Sequence, residues 1–223
     1  MLKGLKYMAI TSNVSFCASP SKSFDVFSQQ VLKNIKRGEN ANLKEFTSRL
    51  TSFSDTFEVD KSGMNKKSKK FAETLVGLNK DNLASIVYSF LIKVNRGNID
   101  LIEEFATNAL KIAKRLKDPL HIMARANDLR EAYKIVPPKN EKLMSVLYDE
   151  KHALKDIISN YEKVQKQNKN LKPKENYQIL LAEVKCDIAK RQSDKNLAKQ
   201  ELLEAKELYE TLGLKEKAQS ITL

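Results

Sequence analysis

From Leu43 onward the apolar residues Leu43, Phe46, Leu50, Phe53 and Phe57 step by three and four with no exception. That is the period of one face of an α-helix, and it excludes the two-residue alternation of a half-buried strand. Burying such a face stabilises the chain by about 1.5–3 kcal/mol per fully buried side chain, so a helix of this kind needs a partner surface. Only six glycines and five prolines occur in 223 residues. Positive-φ turns are therefore scarce, and long helices have few interruptions. The expected fold is all-α, built of antiparallel helical hairpins.

The breaks in the periodic pattern divide the chain. Residues 1–22, rich in Ser, Thr and Asn and closing on Pro20, read as a flexible tail. Residues 23–60 read as an N-terminal hairpin. Its first helix is capped by Ser23 and ended by Gly38, and the second is capped by Asn42. Residues 61–70, with Lys66, Lys67, Lys69 and Lys70 and no acid among them, read as a basic connection. The remainder, 71–223, reads as one helical-repeat-like domain, with helix starts at Asp81, Asp100, Asp118-Pro119 and Asn140. The segment opened by Asn140 runs without a break through Val164. Glu175–Gln192 and Asn196–Leu212 then form a closing hairpin around Ser193-Asp194-Lys195. Eight or nine helices are expected in all.

Small residues punctuate that last hairpin. With Ala198 at the twentieth position of a 34-residue unit, Cys186 falls at the eighth, Ala205 at the twenty-seventh, and Leu202 at the large apolar position between them. In this register the hairpin resembles a tetratricopeptide repeat, with Ala189 in place of the usual tyrosine and Glu210 in place of the usual proline. A second copy runs from Leu83 to about Lys117, with Gly97-Asn98 at the turn and Ala109 at the later small position, although Phe90 stands where a small residue belongs. The resemblance covers about residues 83–217. It implies a tetratricopeptide-like repeat array, a right-handed superhelix whose concave face binds a peptide or protein; an irregular α-α superhelix is the other form these hairpins can take.

The sequence offers no warrant for catalysis. It has no Walker loop, no G-x-G-x-x-G, no H-E-x-x-H and no C-x-x-C, and no cofactor or metal is expected. His121 and His152 stand 31 residues apart and read as solvent-facing or capping residues. Glu58-Val59-Asp60-Lys61-Ser62-Gly63 imitates the first half of a calcium loop, but Lys69 sits where the bidentate glutamate belongs and repels the ion. The adjacent pairs Glu103-Glu104 and Asp149-Glu150 read as solvated helix faces, because neighbours on a helix diverge by about 100°.

The first functional expectation is a non-catalytic scaffold for a protein or peptide partner, with Arg125, Asn127, Arg130 and Tyr133 as its contact residues. The net charge of +12 supplies an alternative, nucleic-acid binding through two lysine clusters. One comprises Lys66, Lys67, Lys69 and Lys70; the other comprises Lys163, Lys166, Lys169, Lys172 and Lys174. The excess is mostly lysine, whereas bidentate phosphate recognition favours arginine. Neither cluster has interleaved aromatics for stacking on single strands.

Two cysteines, Cys17 and Cys186, make no disulfide framework, and a cytoplasmic location is expected. The alternative is export through an atypical N-terminal segment. There Lys3 and Lys6 precede Tyr7–Ile10, but Thr11, Ser12 and Asn13 interrupt the apolar run, and Phe16 precedes Cys17 where a small residue is required. No run approaches the roughly 20 apolar residues of a membrane span.

Overall fold

A computed structural model describes residues 20–222. Among these residues there are twelve helices and no strand: α1 (Pro20–Lys36), α2 (Leu43–Thr51), α3 (Ser54–Val59), α4 (Lys61–Gly77), α5 (Asp81–Val94), α6 (Ile99–Leu116), α7 (Pro119–Ile135), α8 (Asn140–Ser159), α9 (Tyr161–Gln167), α10 (Lys174–Ala189), α11 (Lys195–Thr211) and α12 (Lys215–Gln219). The fold is all-α, as the periodicity requires. Most of the expected tail lies outside the described residues, but Pro20, Ser21 and Lys22 already belong to α1.

The helices form two compact units, and the chain passes from one to the other between Gly97 and Asn98. The division differs from the one read in the sequence, because the segment 61–70 is helix rather than connection. Asp60 caps α4 by accepting from the Gly63 amide at 3.0 Å. Met64, Ser68, Phe71, Ala72 and Leu75 then line one buried face at steps of three and four, leaving the lysines between them. In the first unit α4 packs on α1, α3 and α5, and α2 packs on α5. Its centre is aromatic: the Phe27 ring lies 5.6 Å from Phe46, 5.6 Å from Phe53 and 6.1 Å from Phe71, within the range of favourable ring pairs.

The perfect apolar period from Leu43 does not give one helix. Asn42 caps α2 as expected, accepting from the amides of Lys44 and Glu45. The helix then stops at Thr51, and α3 begins at Ser54. Thr47, Thr51, Ser52 and Ser54 each donate a hydroxyl to a carbonyl three or four residues back, at 2.7–2.8 Å. These side-chain bonds compete with the backbone ladder and favour the break. Phe46, Leu50 and Phe57 are buried, while Leu43 remains about half exposed.

The second unit is a meander. Each of α6, α7, α8, α10, α11 and α12 packs chiefly on the helices before and after it, with the short α9 leaning on α8. Asp118 caps α7 as its sequence implies, accepting from the His121 amide at 3.1 Å with Pro119 in the first turn. Asp194 does the same for α11. The long segment from Asn140 divides into α8 and α9 at Asn160, whose Nδ2 donates to the Asp156 carbonyl at 3.1 Å. Of the small residues in the closing hairpin, Ala205 is fully buried and packs with Ala182, Tyr209 and Ala218, against which Cys186 rests. Ala198 is only half-buried.

Candidate functional site

Because α7 and α10 both pack on α8, a cleft opens beside them in the second unit, with a volume of about 630 Å³. Helix α7 contributes Met123, Ala124, Arg125, Asn127 and Asp128; α10 contributes Asn176, Tyr177, Ile179, Leu180 and Glu183; and the link before α10 adds Asn170 and Lys172. The link is held in place by Tyr161, whose hydroxyl donates to the Lys172 carbonyl at 2.8 Å.

The charged groups on the two helix walls are neutralised in place. Arg125 pairs with Asp128 at 3.2 Å, and Glu183 accepts from Lys217 at 3.2 Å. Burial pushes the Arg125 guanidinium below its ordinary pKa, against the pull of Asp128 in the other direction. Burial also raises the Tyr177 phenol. Three amides, Asn127, Asn170 and Asn176, give the cleft both hydrogen-bond donors and acceptors. Met123, Ile179 and Leu180 supply apolar surface beside them.

The expected contact residues separate into two pairs. Arg125 and Asn127 line the cleft. Arg130 and Tyr133 are buried, and their bonds are internal, so the partner-contact reading of these two is corrected. The reason is register: Arg130 follows Ala126 by four and precedes Tyr133 by three, which sets it on the buried face of α7. Its guanidinium reaches three helices. Nη1 donates to Asp187 at 3.2 Å, Nη2 donates to Asn127 Oδ1 at 3.0 Å, and Nε lies 3.1 Å from Glu150 Oε2. The Tyr133 hydroxyl donates to Glu103 at 3.3 Å.

Glu150 is the residue that the sequence reading misplaced. It is fully buried rather than solvated. Its contact with Arg130 is an ion pair without hydrogen-bond alignment, and both carboxylate oxygens are otherwise unpartnered. Burial pushes its pKa up to about 7, with Glu131 and Asp187 adding to the rise and Arg130 and Lys134 opposing it. The signal was present in the chain, since Leu143, Leu147, Glu150 and Leu154 follow steps of four, three and four. Lys185 was missed for the same reason. It occupies the buried step between Leu181 and Ile188 and donates to Glu201 at 2.9 Å and also to Glu204.

The two lysine clusters belong to different units. In the first, Lys67 pairs with Asp25 at 2.6 Å and Lys69 lies 4.0 Å from Glu73, while Lys66 and Lys70 are exposed. In the second, Lys163, Lys166, Lys169, Lys172 and Lys174 are all exposed. His121 bonds the helix cap Asp118 at 2.6 Å, and His152 is exposed. Among the described residues no group of His, Cys, Asp and Glu is arranged to hold a metal ion, and no helix is long and apolar enough to cross a membrane.

Compared with protein-family models, with curated proteins and with solved structures, the chain matches none.

Proposed function

We propose that this protein is a non-catalytic helical scaffold that holds an extended segment of a partner protein in the cleft beside α7 and α10. The observation that carries the reading is the cleft's lining, with three asparagine amides set beside Met123, Ile179 and Leu180. An amide side chain donates and accepts at once, matching the alternating N–H and C=O groups of a peptide backbone, while apolar neighbours take its side chains. The resemblance of the closing hairpin to a tetratricopeptide repeat agrees with this role but does not carry it.

The test is selection of random dodecapeptides displayed on phage against the full chain. Binders that weaken at least tenfold on Asn176→Arg, a change at an exposed cleft residue, support the reading. A selection without binders, or binders indifferent to both Asn176→Arg and Ala124→Arg, defeats it.

The alternative, electrostatic binding of nucleic acid, draws support from the exposed lysines of both units. It predicts retention on generic duplex DNA or RNA at low salt, with affinity falling steeply as salt rises.

A further inference from the structure

The charges around the cleft are unevenly compensated. Arg125 is balanced by Asp128 and Glu183 by Lys217. Lys172, on the link beside the cleft, has no acidic partner among the described residues, and the same holds for Lys163, Lys166, Lys169 and Lys174 in the same stretch of chain. Between Glu162 and Glu175 the chain carries these lysines and no acid. The cleft therefore has internally paired walls and, at Lys172, an uncompensated positive charge within a stretch of chain that carries four more.

From this asymmetry we infer that the segment held in the cleft is acidic, its carboxylates facing Lys172 and the lysines that flank it in the chain while its backbone meets the asparagine amides. The inference rests on the peptide-binding reading of the cleft and names the chemistry of its partner. Electrostatic complementarity of this kind selects partners and speeds their encounter. Carboxylates fit better than phosphates for two reasons on this surface. The stretch is lysine without arginine, so the bidentate fork that suits phosphate is missing. The one aromatic of the lining, Tyr177, is buried and offers no face to a base.

The experiment measures fluorescence anisotropy of labelled probes with the full chain at low ionic strength. The probes are the decapeptides (Glu-Leu)5, (Gln-Leu)5 and (Lys-Leu)5, and a thymidine hexanucleotide with the same five charges as the acidic peptide. The expected result is that (Glu-Leu)5 binds at least tenfold tighter than (Gln-Leu)5, with the difference shrinking as salt rises. Lys169→Glu/Lys172→Glu should abolish that difference. The charge-matched Lys66→Glu/Lys70→Glu, in the other unit, should leave it intact. All four lysines are exposed, and circular dichroism verifies that the variants fold. Equal affinity for (Glu-Leu)5 and (Gln-Leu)5 overturns the inference while the cleft stands as a peptide site. Equal loss in both double variants also overturns it, assigning the effect to net charge, and so does tighter binding of the hexanucleotide. Binding of no peptide at all overturns the cleft reading and this inference together.

Discussion

Asn65 and Asn95, thirty residues apart in sequence, exchange two amide hydrogen bonds inside the first unit, 2.9 Å from Asn65 Nδ2 to Asn95 Oδ1 and 2.7 Å in return. The pair fastens the buried face of α4 to the end of α5, where Asn95 Nδ2 also donates to the Leu91 carbonyl at 2.8 Å. Removing one member leaves the other buried and unsatisfied. Asn95→Ala is therefore expected to cost about 1–3 kcal/mol, whereas Asn65→Ala/Asn95→Ala should cost less than the sum of the two single changes. Urea unfolding of the four proteins in the cycle measures the coupling; strict additivity would mean that the two amides act independently.

Glu150 sets an unusual pH dependence. Its folded pKa of about 7 stands above the ordinary carboxylate value of 4.5. Between these values the folded chain keeps a proton that the unfolded chain releases, so this group's contribution to stability is full below about pH 4.5 and is lost as pH rises to about 7. The loss is on the order of 3 kcal/mol. Glu150→Gln should remove it. The difference in unfolding free energy between wild type and variant, followed from pH 4.5 to 8, should move in the variant's favour as pH increases. A constant difference would show that Glu150 titrates normally.

The guanidinium above it gives a linked expectation. Arg130→Met strands Glu150 and weakens the hold on Asp187, at a cost of about 3–5 kcal/mol near pH 8. At pH 5 the penalty should be smaller, because Glu150 is then neutral. Arg130→Met/Glu150→Gln should recover part of the loss at pH 8. Thermal melts at both pH values check the pattern, and an equal penalty at both would assign the cost to packing instead.

Two alanines of the closing hairpin should respond differently to enlargement. Ala205 is fully enclosed by Ala182, Tyr209 and Ala218, so Ala205→Leu is expected to cost about 1–3 kcal/mol. Half-buried Ala198 lies outside that cluster, and Ala198→Leu should stay within about 0.5 kcal/mol of wild type. Denaturant midpoints of the two variants decide it.

The helical class was legible because it rests on period, and the caps at Asn42 and Asp118 were legible because their side chains act within one turn. The break at Thr51 was harder to read. Its cause is a run of hydroxyl-to-carbonyl bonds that the apolar spacing of Leu43, Phe46, Leu50, Phe53 and Phe57 does not register. At Lys61–Lys70 the lysines hid the spacing of Met64, Ser68 and Ala72 beneath them. The cleft was half legible. Arg125 and Asn127 were identified on α7, but Asn176 and Leu180 arrive from a helix some fifty residues later, brought there only by packing on α8. Glu150 and Lys185 are charged yet buried, and charge by itself points to exposure. Position in the helical period was the better guide for both.

In the meander each helix after α6 docks on an earlier neighbour, α10 reaching past the short α9 to α8, so the chain segments that must close between contacts are short. Topology of this kind keeps contact order low and favours rapid folding. It also suits growth from one end. During synthesis, α7 can settle on α6 before α8 has left the ribosome, and each later helix finds its docking surface already assembled. The unit can thus condense in the order in which it is translated, leaving little apolar surface waiting for a distant partner.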